Sequence, residues 1–365
     1  MNYEFETPAV VVDMGQARKN AVKAVGALKA AGIKHRPHIK AHKSVALAKM
    51  QLEAGAVGIT CAKLGEAEVM QQNGIEDILI ANEIIGENKI RRLLELNRHS
   101  RVISCVDSLE GASALSAAAE AVNFRLPVFV EIDSGGERCG RHPGGDLIQF
   151  AKAASALKGI EIIGVMTYAG QIYGVTGEKM REAARHEAHI LTEAADALRA
   201  IGLNIRELSG GSSLSLHIAE DSKGLTESRA GNYIFNDCNA LFGGACVINE
   251  CALRVITTVI SIPKKNRAII DAGTKTISSD GCSYRGGYGY VVGYPDIDIY
   301  KLNEEHGYLR LSDSVSGGAH LKIGDKLTII PNHSCVLPNL CDELVMVENN
   351  EFKGLLPIEA RGMNK

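Results

Sequence analysis

The amino-acid sequence predicts an α/β fold, a (β/α)8 TIM-type barrel followed by a mainly β C-terminal domain. Short runs rich in Val and Ile alternate with helical patterns over the first 237 residues. Eight such repeats within about 200 residues are typical of right-handed βαβ units that close into a barrel. From about residue 240 the helical periodicity fades and strand-like runs follow one another. An open, doubly wound sheet is the alternative, because a strand count does not prove closure.

The strand-like runs of the barrel are bounded by Gly, Asn, Asp or Ser, as strands usually are. They cover residues 35–40, 56–61, 77–82, 101–107, 127–133, 160–168, 205–209 and 227–235. Helical patterns cover 16–31, 44–53, 65–72, 87–97 and 178–200, and the last has no internal Gly or Pro.

The second domain is predicted from strands at 252–262, 267–271, 326–331 and 344–348, with turn residues between them. An extra strand at 9–13 precedes the eight barrel strands and is expected to join this sheet. The predicted domains are therefore a barrel over 14–240 and a mainly β domain built from 1–13 plus 241–365.

Composition excludes several classes of protein. Hydrophobic residues make up 45% and charged residues 23% of the 365 residues, the balance of a globular chain with a buried core. The net charge of -3 without a basic run argues against nucleic-acid binding. No apolar run approaches the roughly 18 residues that a membrane span needs, and the acidic start does not resemble a signal peptide. Nine scattered cysteines without a CxxC motif indicate a reduced, cytoplasmic protein.

Chemistry in such a barrel is expected where the strands end. The first strand ends in the densest polar stretch, residues 36–43, with Lys40 at its centre. Burial and neighbouring cations would disfavour its ammonium form, which is how a Schiff-base lysine is activated. A solvated basic loop that leads into the next helix is the simpler alternative.

Glycine-rich loops follow the seventh and eighth strands. Ser209, Gly210, Gly211 and Ser212 form the first loop, and Gly231-Asn232 forms the second. Successive backbone amides in such loops bind phosphate, and barrels often hold phosphate after these two strands. Each loop alone is weak evidence, because glycine loops are common, but their joint position favours a phosphate site.

A further candidate site lies after the strand at 326–331. His333 and Cys335 are two residues apart, so on an extended segment their side chains point the same way, at a spacing that suits Zn²⁺. On spacing alone, a chance histidine beside a buried cysteine is the more economical interpretation.

Several segments together resemble one enzyme family. Residues 36–43 (Arg-Pro-His-Ile-Lys-Ala-His-Lys) resemble the Pro-His-x-Lys-x-His-Lys segment of the D-threonine aldolase and D-serine dehydratase family. These are fold-type III pyridoxal phosphate (PLP) enzymes, related to alanine racemase in the barrel. The resemblance continues, in the family's order, through 54–59, 62–68, 77–82, 131–135, 138–140, 229–233, 304–307 and 331–335.

The resemblance implies a role for each matching residue. Lys40 would bind PLP covalently, and Ser209, Gly210, Gly211, Ser212, Gly231 and Asn232 would surround its phosphate. Tyr168 would line the cofactor, Arg138 would approach its phenolic oxygen or the substrate carboxylate, and Arg229 would face its pyridine nitrogen. His333 and Cys335 would bind a divalent metal, zinc or manganese. A cysteine at this metal position is similar to the dehydratase branch, whereas the aldolase branch tends to have Asp there.

The resemblance thus implies a PLP- and metal-dependent lyase acting on 3-hydroxy-D-amino acids, by retro-aldol cleavage or by elimination of water. A homodimer is the expected assembly. An amino-acid racemase is the main alternative, with Tyr284, Tyr288 or Tyr290 as the second base. A PLP-binding homeostasis protein is a non-enzymatic alternative, although such proteins resemble a bare barrel.

Overall fold

The computed structural model describes residues 5–311 and 321–365, which fall into two units. The barrel unit comprises Val22–Lys40, Leu47–Gly231 and Gly362–Lys365. The sheet unit comprises the described residues of Met1–Ala21, Ala41–Ala46 and Asn232–Arg361.

The barrel unit is built on an eight-stranded parallel sheet in the described part of the chain. Its strands are β2 (Lys34–His35), β3 (Ile59–Cys61), β4 (Asp77–Glu83), β5 (Arg101–Val106), β6 (Leu126–Glu131), β7 (Ile160–Met166), β8 (Glu207–Gly210) and β9 (Glu227–Ser228). They pair in the order β2-β9-β8-β7-β6-β5-β4-β3.

Backbone hydrogen bonds between the two ends of this sheet close it into a barrel. His38 forms a parallel bridge with Thr60. The amide of Val57 donates to the carbonyl of His35, and the amide of Thr60 donates to the carbonyl of Pro37, both at 2.8 Å. The predicted barrel is therefore confirmed, and the open sheet is excluded.

The helices follow the predicted pattern with four additions. Their bounds are α1 (Met14–Ala30), α2 (Val45–Glu53), α3 (Leu64–Gln72), α4 (Glu87–Leu96), α5 (Leu109–Ala121), α6 (Gly145–Ser155), α7 (Glu178–Ala200), α8 (Cys238–Phe242) and α9 (Thr274–Ile277). The sequence predicted no bounds for α5, α6, α8 and α9. Helix α5 is rich in Ala and its polar and apolar faces differ little, and α8 and α9 are only five and four residues long. Within the described ranges, no helix combines the length and the apolar character required to cross a membrane.

The sheet unit is mostly β, as predicted. Its strands are β1 (Ala9–Asp13), β10 (Leu253–Lys264), β11 (Arg267–Ile270), β12 (Tyr290–Val291), β13 (Asp298–Leu302), β14 (Gly307–Arg310), β15 (Lys326–Ile330), β16 (Glu343–Glu348) and β17 (Glu351–Pro357). As expected, β1 joins this sheet, antiparallel to β10 and parallel to β16. The short strands β12, β13 and β14 and the final strand β17 were not predicted.

A buried cluster packs between strands of the barrel unit. Its members are the large or aliphatic side chains Leu79, Ile103, Cys105, Phe129, Ile163 and Met166. Phe129 is completely buried and is among the largest fully buried side chains. Aliphatic packing around one aromatic ring thus fills this region, which explains how the barrel folds without tryptophan.

We therefore expect Phe129→Ala to lower the free energy of unfolding by about 3–5 kcal/mol, because it removes buried contacts and leaves a cavity. Val122→Ala is the matched control: Val122 is 47% exposed, and such surface changes stay within about 0.5 kcal/mol. Urea unfolding measures both values. An equal, small loss in the two variants would contradict this view of the core.

Candidate active site

Lys40 lies in a 3-10 turn, Ile39–Ala41, a few residues after β2. Its side chain is exposed, so the prediction of a desolvated ammonium is wrong for this structure. Its Nζ atom lies 5.7 Å from the centroid of the Tyr168 ring, within the range of a cation–π contact. The lysine is therefore held over an aromatic face in the barrel unit.

Arg138 lies over the same ring. Its Cζ atom is 5.1 Å from the Tyr168 centroid, and its Nη2 atom is 3.3 Å from Glu131 Oε1. Tyr168 follows β7 and Arg138 follows β6, so the carboxyl ends of neighbouring strands supply both. The structure thus brings together three residues that the sequence predicted, Lys40, Arg138 and Tyr168.

In the first glycine-rich loop, some backbone amides bind protein acceptors. The amide of Gly211 donates to Glu187 Oε1 at 3.0 Å, and the amide of Ser212 donates to Ser215 Oγ at 2.8 Å. Gly211 has a φ of +78°, and a Cβ there would clash with Ser228 Oγ, which explains the glycine. A phosphate role for Ser209, Gly210, Gly211 and Ser212 stays a prediction.

Gly231 is a better placed donor. Its amide is buried and has no hydrogen-bond acceptor among the described residues. Any Cβ at this position would collide with the carbonyl oxygen of His38, so only glycine fits. A buried amide without an acceptor is rare, and an anionic oxygen is a suitable ligand for it.

Arg229 is buried and hydrogen-bonded in the interior of the barrel unit. Its Nη1 atom donates to Ser209 Oγ at 2.7 Å, and its Nη2 atom donates to the carbonyl of Thr167. Ser209 Oγ in turn donates to Glu227 Oε1 at 2.7 Å. Burial lowers the pKa of Arg229, against the opposing charges of the neighbouring carboxylates. The guanidinium and the Ser209 hydroxyl are thus parts of one buried polar network.

Glu187 belongs to the same region and was missed by the sequence analysis. It is buried on α7 and accepts hydrogen bonds from the amides of Gly211 and Ala169, at 3.0 and 3.4 Å. Burial raises its pKa, while the charge of Arg229 opposes that rise. The signal was present in the sequence, because Glu187 interrupts an apolar helical stripe that includes Met180, Ala184 and Leu191.

In the sheet unit, Cys335 lies two residues after His333, and its thiol helps to raise the pKa of His333. Cys335 lies in a 3-10 helix, Ser334–Asn339, so the predicted extended segment is wrong. His333 Nδ1 is 2.8 Å from Asp280 Oδ2. Metal-ligating histidines usually bond a carboxylate through the second ring nitrogen, so the three residues fit a metal centre.

The charges around His333 favour its protonated form when no metal is bound. Burial acts to lower the pKa of His333. The hydrogen bond and charge of Cys335, the charge of Asp237 and the hydrogen bond with Asp280 outweigh it and raise the pKa to about 10.

Asn232 and Asp237 support the metal candidate from the same unit. Asp237 accepts hydrogen bonds from the amide of Ser334 at 3.0 Å, from the amide of Ala240 at 3.1 Å and from Asn232 Nδ2 at 2.5 Å. Asn232 Oδ1 accepts from the Ser334 hydroxyl. Asn232 therefore positions the residue between His333 and Cys335, a role that the sequence did not suggest.

The closed parallel barrel with a lysine after its first strand, together with a mainly β unit, is the architecture of alanine racemase-type proteins. A model of the "Alanine racemase, N-terminal domain" family matches residues 12–238. A model described as "Putative serine dehydratase domain" matches residues 252–347. The chain belongs to the D-threonine aldolase and D-serine dehydratase family.

The relatives include both aldolases and dehydratases. The chain is 34% identical to a 3-hydroxy-D-aspartate aldolase of Paracoccus denitrificans (strain Pd 1222), over 98% of this chain and 93% of that protein. It is also 34% identical to a D-threo-3-hydroxyaspartate dehydratase of Delftia sp. (strain HT23), over 91% of each. A solved structure of a D-threo-3-hydroxyaspartate dehydratase mutant in the metal-free form superposes with a TM-score of 0.89 at 30% identity, covering 97% of this chain and 98% of that one.

We expect Asp280→Asn to weaken zinc binding by about 10- to 100-fold, because it removes the charge that orients His333. Competition with a chelating dye measures the affinity of the purified protein for Zn²⁺. Asp296→Asn, an exposed position in the same unit, is the matched control and should keep the wild-type affinity. Equal affinities in both variants would rule out the orienting role of Asp280.

Proposed function

We propose that this chain is a PLP- and divalent-metal-dependent lyase that acts on 3-hydroxy-D-amino acids. Two outcomes fit: retro-aldol cleavage to glycine and an aldehyde, or elimination of water followed by release of a keto acid and ammonia. The observation that carries the proposal is the 2.8 Å contact between Asp280 Oδ2 and Nδ1 of His333, which lies two residues before Cys335 in the chain. A metal there suits chemistry at the substrate hydroxyl, whereas racemisation needs no Lewis acid at Cβ.

Residues of the barrel unit fit the cofactor. Lys40, Tyr168 and Arg138 supply an amine, an aromatic face and a cation within one cluster. The buried amide of Gly231 suits a phosphate oxygen, and Asn232 follows it in the chain. When bound, PLP supplies an electron sink for carbanion chemistry, and the protein supplies orientation and proton transfer.

The sheet unit supplies the proposed metal ligands. A thiolate and an imidazole favour zinc among the common divalent ions, although manganese stays a candidate. The related dehydratase, of which a metal-free form is described, supports metal binding in the family. When bound, the metal acts as a Lewis acid and orients the substrate.

The residues of the chain move the protons. For elimination, the Nζ atom of Lys40 would take the proton from Cα, and the hydroxyl would leave from Cβ. For retro-aldol cleavage, a base would take the proton of the 3-hydroxyl, and the Cα–Cβ bond would break to form the aldehyde. The electron pair of that bond would stay at Cα, which would then take up a proton to give glycine. Arg138, held against Tyr168, would balance the negative charge of a carboxylate or phenolate.

The proposal extends to the organisation of the protein. We assign the PLP-binding barrel to residues 14–240, and the metal-carrying β domain to 1–13 plus 241–365. We also propose a cytoplasmic homodimer. Free thiols support a reducing compartment, since the described cysteines form no disulfide.

We expect Lys40→Ala to abolish the visible absorbance of the lysine-bound cofactor and the lyase activity, because the amine that binds PLP covalently is lost. Lys34→Ala, at an exposed lysine that begins β2, the strand before Lys40, is the matched control and should keep both. Ultraviolet–visible spectra of the PLP-loaded proteins measure the absorbance of the lysine-bound cofactor in each variant. Retention of the absorbance in Lys40→Ala would mean that another lysine, Lys43 or Lys63, binds the cofactor.

A further inference from the structure

A group of carboxyl and thiol side chains lies beside Arg138, at the carboxyl ends of β4, β5 and β6. One oxygen of Glu83, one oxygen of Glu131 and the Sγ atom of Cys105 all lie within 4.8 Å of one another. The same holds for Glu83, Asp107 and Cys139. None of these acidic residues has a place in the proposed function, and their concentration requires a physical explanation.

We propose that Glu83 and Glu131 share one proton and that Glu83 is a positioning residue for Arg138. The hydrogen bond from Glu83 holds the Glu131 carboxylate where it pairs with the Arg138 guanidinium, beside Tyr168 and Lys40. This role rests on the proposed function, in which Arg138 and Lys40 belong to the active site.

The geometry favours a proton shared by the two carboxyl groups. One oxygen of Glu83 lies within 4.8 Å of one oxygen of Glu131, and two carboxylates that share a site repel unless one is protonated. Glu131 is buried and its Oε1 atom lies 3.3 Å from Arg138 Nη2. Arg138 pairs with Glu131, whereas Glu83 Oε1 has no hydrogen-bond partner among the described residues, so we place the proton on Glu83.

The surroundings of Glu83 agree with a neutral carboxyl group. Its Oε1 atom is buried and has no hydrogen-bond partner among the described residues, a costly position for a charged oxygen. Burial, the charge and hydrogen bond of Glu131 and the charge of Asp107 raise the pKa of Glu83 to about 7. The thiols of Cys105 and Cys139 also face this group, and burial raises the pKa of each.

The shared proton makes the position of Arg138 depend on pH. Because the pKa of Glu83 is raised, the hydrogen bond persists below about pH 7 and is lost as the pH rises through that value. Above it, repulsion between Glu83, Glu131 and Asp107 replaces the hydrogen bond. The apparent pKa belongs to the pair rather than to either residue.

Infrared difference spectroscopy of the PLP-loaded enzyme tests the shared proton directly. A protonated carboxyl group has a C=O stretching band separate from that of a carboxylate. We expect the wild type to lose one such band between about pH 6 and pH 8, the window around the raised pKa. Glu83→Gln should lack this change. Glu161→Gln, whose side chain is paired with Arg206 at the amino end of β7, is the matched control and should keep it.

Kinetics and cofactor affinity test the positioning role. Glu83→Gln keeps a hydrogen-bond donor, so the alkaline limb of its kcat/KM profile should move upward by at least about one pH unit. At about pH 6, Glu83→Ala should lose about tenfold in kcat/KM and in PLP affinity, the effect of one charge-assisted hydrogen bond. Glu83→Gln should stay within about twofold of the wild type.

Each outcome tests a separate part of the proposal. A band change that persists in Glu83→Gln, or its absence from the wild type, would overturn the shared proton. Wild-type kcat/KM and PLP affinity in Glu83→Ala would overturn the positioning role. A protein that bound no PLP would overturn the proposed function and the positioning role together, and infrared spectra of the unloaded protein would then report on the shared proton.

Discussion

The barrel unit depends on the hydrogen bonds that close its sheet between residues 35–38 and 57–60. Closure places the carboxyl ends of the parallel strands at one rim. Lys40 follows the first strand, Arg138 follows β6 and Tyr168 follows β7, so these distant segments meet only because the ring is closed. An open sheet with the same strands would spread these residues along an edge.

Buried charge is the second constraint on this unit. Arg229 is surrounded by Glu187, Glu227 and the Ser209 hydroxyl, and such a guanidinium is tolerated only with partners of this kind. The carboxylates in turn accept hydrogen bonds from backbone amides, as Glu187 does from Gly211 and Ala169. The loops after the strands are therefore held by the same network that neutralises the interior.

Much of the fold was predictable, because its signals are local. Residue periodicity gave α7 and β1 with their observed ends, and the changed pattern near residue 240 gave the mainly β region. Site residues that belong to a sequence motif, such as Lys40, His333 and Cys335, were recognised from the residues around them in the sequence. The supporting carboxylates were not found from the sequence. Asp280 lies 53 positions from His333, and Glu83 comes close to Glu131 only in the folded sheet. Long-range pairing leaves no periodic trace in a single sequence.

The central claim is lyase chemistry on 3-hydroxy-D-amino acids that requires a metal. The most direct measurement is product analysis of the PLP- and zinc-loaded enzyme with D-serine, D-threonine and 3-hydroxy-D-aspartate, with and without EDTA. The account predicts either glycine plus an aldehyde or a keto acid plus ammonia, lost in EDTA and restored by zinc or manganese. Formation of only the L-enantiomer, or full activity in the chelator, would contradict it.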